Sequence, residues 1–154
     1  MKRIASFTVN HDILEHGMYI SRIDGDAVTY DIRMKKPNAG DYLGNGELHT
    51  TEHLFATYAR NSRYSDSVIY VGPMGCRTGF YLIVRDKITN DEAIELVKES
   101  FRFIAEFEGE IPGSKKEECG NYLEHDLPAA KKTARQMLEI LEKITEADLS
   151  YKTA

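Results

Sequence analysis

The stretch Glu47-Leu48-His49-Thr50-Thr51-Glu52-His53-Leu54-Phe55-Ala56-Thr57-Tyr58-Ala59-Arg60-Asn61 contains no glycine or proline, and Leu48, Thr51, Phe55, Tyr58 and the following Ser62 recur at three- and four-residue steps. That period belongs to a helix. Residues four apart on a helix lie one above the other, so His49 and His53 direct their imidazoles at one point, with Glu52 and Ala56 on the same face. Two histidines at this spacing form a metal clamp. Glu52 stands beside it, near enough to reach a bound water or substrate without ligating, and H-x-x-E-H is the inverted form of the zinc-protease motif.

Working outward from that helix, the segment Lys35 to Gly46 holds Pro37, Asn38, Gly40, Gly44 and Asn45 and reads as the loop that delivers the chain into it. Residues 4–34 read as strands, with Gly17-Met18-Tyr19-Ile20 and Val28 to Met34 flanking the turn-prone Asp24-Gly25-Asp26 as a hairpin. A second strand pair, Ser67 to Val71 and Gly79 to Val84, follows the helix and is joined by the glycine-rich Gly72 to Thr78. Thr89-x-x-Glu92 is a capping-box pattern that opens a helix with the apolar stripe Ile94, Val97, Phe101 and Ile104, running until Gly109. After the loop Glu110 to Glu118, Pro128 suits a first helical position, and Ala130, Ala134, Met137 or Leu138, Leu141 and Ile144 supply a last buried face. Strands that come as hairpins, not singly between helices, predict an α+β fold: an antiparallel sheet with helices packed on one face.

The 154 residues fit one domain, taken as a single catalytic domain over 1–154, and the composition, 42% hydrophobic and 29% charged, is that of a globular chain. A net charge of −5 with Lys and Arg scattered among acids offers no stripe for a phosphate backbone, so nucleic acid is not expected as a partner. The N-terminal Met1 to Val9 has no signal-peptide core, and no run approaches the roughly 20 apolar residues of a membrane span. A cytoplasmic protein without a membrane partner is expected. The two cysteines, Cys76 and Cys119, are then free thiols in a reducing compartment.

A catalytic metal usually takes three protein ligands and leaves one position open. Cys119, a thiol in the charged loop Lys115-Lys116-Glu117-Glu118-Cys119-Gly120, is the expected third ligand. Cys76 lies in Pro73-Met74-Gly75-Cys76-Arg77-Thr78-Gly79, where adjacent Arg77 favours a thiolate and an acid/base or nucleophilic role is expected. A thiolate ligand suits softer divalent ions over Mg(II) or Ca(II).

With Ser6-Phe7 and His11 near the start, Asp31-Ile32-Arg33 with Pro37-Asn38, the His49 to Leu54 segment, Pro73 to Gly79, and Cys119-Gly120, the chain resembles the S-ribosylhomocysteine lyases, the LuxS family that makes the autoinducer-2 precursor of quorum sensing. The resemblance spans nearly the whole chain. It implies that His49, His53 and Cys119 bind the metal, Fe(II) physiologically with Zn(II) or Co(II) able to substitute. It further implies that Glu52 and Cys76 are the acid/base pair and that Ser6, His11 and Arg33 contact the ribose. The implied reaction moves a carbonyl along the sugar and then expels homocysteine by β-elimination, leaving 4,5-dihydroxy-2,3-pentanedione. The implied assembly is a homodimer with active sites at the subunit interface. Tyr70 departs from the family pattern, which carries an acidic residue three positions before the proline of Pro-Met-Gly-Cys. His16 and His125 match no functional position and are read as solvated or capping residues. The rival readings are an inverzincin-like metallopeptidase, which takes a glutamate as third ligand, and a non-catalytic metal-binding protein.

Overall fold

The hairpin around Gly25 forms as β1 (Gly17–Asp24) and β2 (Ala27–Arg33) in a computed structural model that describes residues 1–153. Asp24 pairs with Ala27 across the turn, where Gly25 takes a φ of 60° that side chains resist. The second hairpin is β3 (Val68–Pro73) and β4 (Gly79–Arg85), and β4 docks on β2, giving a four-stranded sheet in the order β1-β2-β4-β3 with every pairing antiparallel. Three helices follow the expected segments: α1 (Asn45–Asn61), α2 (Asn90–Glu106) and α3 (Leu127–Leu141).

Local chemistry starts each helix. Glu47 reaches back to the backbone N–H of Gly44 at 2.8 Å, so α1 begins slightly before the periodic residues. Thr89 Oγ1 accepts from Glu92 N while Glu92 accepts from Thr89 N, the reciprocal box that the sequence predicts. Asp126 caps α3 by accepting from Ala129 N, ahead of Pro128 in the first turn.

The sheet is sided. Ile32, Phe80, Leu82 and Val84 are buried in the same core as Leu54, Phe101 and Met137 from the helices. Phe55 lies between layers, its ring 5.3 Å from that of Phe101 and 6.1 Å from that of Phe80. The alternate residues Tyr19, Asp31, Arg33 and Tyr81 belong to the other face. That face is partly covered by the C-terminal end, where Tyr151 stacks on Tyr19 at 5.0 Å and donates to Asp31 Oδ2 at 2.7 Å.

One expectation fails at the N-terminus. Residues 4–16 are not strand but a short 3₁₀ turn (Ala5–Phe7) and irregular chain. Their polar side chains satisfy the backbone locally, with Thr8 Oγ1 donating to Ala5 O and Asp12 N to Asn10 Oδ1, which removes the incentive to pair with a sheet.

Candidate active site

The α1 periodicity places His49 and His53 on a flank beside buried Thr50 and Leu54, facing the loops that precede α3. Each ring is fixed by its Nδ1: that of His49 donates to Glu124 O and that of His53 to Pro112 O, both at 2.8 Å. A proton on Nδ1 leaves the Nε2 lone pair free, and the two Nε2 atoms face each other at 3.1 Å. Cys119 Sγ completes a triangle, 3.4 Å from His49 Nε2 and 3.9 Å from His53 Nε2. In a tetrahedral site with metal–nitrogen and metal–sulfur bonds of about 2.0 and 2.3 Å, neighbouring donors stand roughly 3.3–3.6 Å apart. The observed 3.1, 3.4 and 3.9 Å straddle that range by a few tenths of an ångström, and the donors suit a transition-metal ion in softness and in the outer carbonyls that orient the imidazoles. Of Glu117 and Glu118, the glutamates that a peptidase reading offers as ligand, neither belongs to the cluster, and Glu118 accepts from Lys115 N.

His125, read from the sequence as solvated or capping, belongs to this cluster: its ligand atom lies with those of His49, His53 and Cys119, all within 4.8 Å of one another. Its ring stacks on that of His49, with centroids 4.2 Å apart and planes 18° apart, and meets that of His53 edge-on at 4.9 Å. Nδ1 lies 2.9 Å from Thr50 Oγ1, which also accepts from Asp126 N. Nε2 is buried with no hydrogen-bond partner among the described residues. Burial first, then the charges of His49 and His53, push its pKa below the usual imidazole range. Asp126-Leu127-Pro128 marks a helix start in the sequence, but only packing sets that start against α1, where a Cβ at Gly46 would come within 3.2 Å of Asp126 Cβ.

A second group forms on the sheet face turned away from the helices. Ser6, Phe7, His11, Arg33, Met74, Cys76 and Tyr81 are among the residues lining an open cavity of about 390 Å³. Arg33 is held by a bidentate pair with Asp31, Nε to Oδ1 at 3.1 Å and Nη2 to Oδ2 at 2.7 Å, with both side chains buried. Burial lowers the guanidinium pKa, but Asp31, with Cys76 and Tyr151, outweighs it and the net shift is upward. Nη1 donates to Thr78 Oγ1 at 2.8 Å, and that hydroxyl is 3.0 Å from Cys76 Sγ. The Thr78 hydroxyl thus bridges the Arg33 guanidinium and the Cys76 sulfur. The cation linked to Cys76 is thus Arg33; Arg77 turns to Leu43 O and lies over the Tyr42 ring. Cys76 itself is exposed.

No hydrogen bond among the described residues joins the Cys76 pocket to the His49–His53–Cys119 cluster. Glu52, one residue before His53 on α1, is half-buried and its carboxylate makes no hydrogen bond among the described residues. Tyr70 is not part of the pocket wall: its ring folds over Gly72, where a Cβ would collide with it. His16 is exposed, as expected. Among the described residues no helix is long and apolar enough to cross a membrane.

Comparison with known proteins adds an independent finding. Residues 4–148 match the model of the family described as S-Ribosylhomocysteinase (LuxS). The chain is 51% identical to a protein of Phocaeicola vulgatus named S-ribosylhomocysteine lyase, with 99% of both chains covered. Proteins of the same name from Clostridium acetobutylicum and Borreliella burgdorferi are 47% and 43% identical, each alignment covering 98% of this chain and 99% of the relative.

Proposed function

The chain belongs to the S-ribosylhomocysteinase (LuxS) family, and from that premise we propose that it cleaves S-ribosylhomocysteine to homocysteine and 4,5-dihydroxy-2,3-pentanedione. It is a carbon–sulfur lyase with a metal-binding cluster. The observation that carries the reading is the triangle of His49 Nε2 and His53 Nε2 on α1 with Cys119 Sγ from the loop before α3, at separations of 3.1, 3.4 and 3.9 Å that lie near those of a tetrahedral site.

In this reading His49, His53 and Cys119 hold a divalent ion, physiologically Fe(II), with Zn(II) or Co(II) as substitutes. The bound ion supplies Lewis acidity that makes protons beside the sugar carbonyl removable. Cys76, as thiolate, takes such a proton from one carbon and returns it to the next, which moves the carbonyl along the chain. Glu52 carries the matching oxygen-bound protons. Once the carbonyl lies β to sulfur, removal of one more proton breaks the carbon–sulfur bond and its electron pair leaves with homocysteine. Ser6, His11 and Arg33 hold the ribose, and the Asp31 clamp fixes the direction in which Arg33 points.

We further propose a cytoplasmic homodimer of single-domain catalytic chains, in which the Cys76 pocket of one chain meets the metal cluster of the other. The position of the two groups on different sides of the sheet supports this, as do the exposed apolar side chains of Ile4 and Phe7 in the pocket wall. The test is anaerobic purification, metal analysis and thiol release from S-ribosylhomocysteine. Metal without thiol release, or full release by Cys76→Ala, refutes the assignment.

A further inference from the structure

His125 raises a question that the three-ligand centre does not answer. Four candidate ligands meet, yet the fourth stands differently from the rest. A metal held by an imidazole lies close to that ring's plane, so an ion held by His49 would lie near the His49 plane. The His125 ring is stacked on His49, only 18° from parallel with centroids 4.2 Å apart. Rings this close must be separated by about 3.5 Å of van der Waals thickness. The in-plane lone pair of His125 therefore passes above the ion and misses the distance of about 2.0–2.1 Å that a ligating nitrogen needs.

The protonation of the ring points the same way. Thr50 Oγ1 accepts from Asp126 N, and the acceptor in reach of its own hydrogen is His125 Nδ1, 2.9 Å away. With that hydrogen directed at Nδ1, the ring proton sits on Nε2, which is buried and without a partner among the described residues. A buried N–H with nothing to bond is costly enough that native proteins rarely leave one unmet. A donor set back one layer from a metal is placed to reach an oxygen bound to that metal, not the metal itself.

We propose that His125 Nε2 is the hydrogen-bond donor for an oxygen in the open fourth position of the centre, water at rest or a substrate oxygen during turnover, and not a fourth ligand. The inference rests on His49, His53 and Cys119 binding a metal. Thr50 is then a positioning residue that fixes the His125 tautomer, and the Asp126 cap fixes Thr50.

The test uses Co(II)-loaded wild type, His125→Ala and His125→Gln, each checked for thermal unfolding. Absorption reports the thiolate-to-Co(II) band and the coordination number, and acetohydroxamate serves as the oxygen-donor probe. We expect His125→Ala to keep stoichiometric Co(II) and the tetrahedral spectrum while binding acetohydroxamate about 10- to 100-fold more weakly. His125→Gln, which retains an N–H, recovers a large part of that affinity. A collapse of Co(II) affinity by about a thousandfold, beyond what loss of an outer partner produces, makes His125 a ligand and overturns the proposal. Unchanged acetohydroxamate binding in both variants overturns it as well. Wild type that takes up no Co(II) overturns the metal centre first and this proposal with it.

Discussion

Two inactive variants should restore activity to each other. Cys76→Ala empties the pocket on the outer sheet face, and Cys119→Ala opens the triangle on the α1 flank. In a two-fold dimer whose sites each combine one chain's pocket with the partner's metal cluster, a mixed dimer carries one doubly damaged site and one intact site. Random pairing makes half the dimers mixed, so an equimolar mixture should turn over at about a quarter of the wild-type rate per chain. The assay is homocysteine release followed with a thiol reagent, after subunit exchange of differently tagged variants and metal loading. Tandem affinity purification of the mixed dimer should raise the rate to about half. If purified mixed dimers remain as inactive as either parent, each site lies within a single chain, and the argument from the separation of the two groups is wrong.

Three further outcomes follow from particular contacts. Asp31→Asn leaves the Arg33 guanidinium buried without its counter-charge, which should cost about 3–5 kcal/mol in urea unfolding, and a loss below about 1 kcal/mol would contradict the buried-pair reading. Gly113 has a φ of 71° and a Cβ there would lie 3.2 Å from His53 Nδ1. Gly113→Ala should therefore weaken metal binding about 10- to 100-fold in chelator competition, with unchanged affinity counting against His53 as an oriented ligand. Burial, then the charge of Glu146, raises the Tyr30 phenol from 10.0 to about 12. Its raised value means that its share of stability is intact below pH 10 and is lost as pH climbs to about 12. Tyr30→Phe should flatten that alkaline decline, and an identical profile in denaturant titrations would show that Tyr30 does not drive it.

Much of this protein is legible in its sequence because the deciding interactions are short-range. The spacing of His49 and His53 on an uninterrupted helical segment puts two imidazoles together whatever the rest of the chain does. Thr89 and Glu92 start α2 through bonds that span three residues, and the turn at Gly25 closes the first hairpin. Cys119 was inferable as a thiol in a polar loop beside nothing that would bury it. The N-terminal segment stays out of the sheet although its residues favour strand, because the side chains of Thr8 and Asn10 satisfy its backbone locally.

What the fold alone decided is what lies far apart in the chain. Loops carrying Pro112, Cys119, Glu124 and His125 have no period to read, and they reach α1 only because α3 packs beside it and Gly46 permits close approach. That packing brings His125, which the sequence suggests is solvated or capping, into the cluster that could hold a metal. Sheet geometry likewise makes Asp31 and Arg33 neighbours on one face, delivers Arg33 to Thr78 and so to Cys76, and sets this pocket apart from the metal ligands. The sequence by itself determined the types of donor side chain and the local elements that carry them; the tertiary structure decided which distant donors converge, because loop placement follows from core packing and carries no pattern of its own.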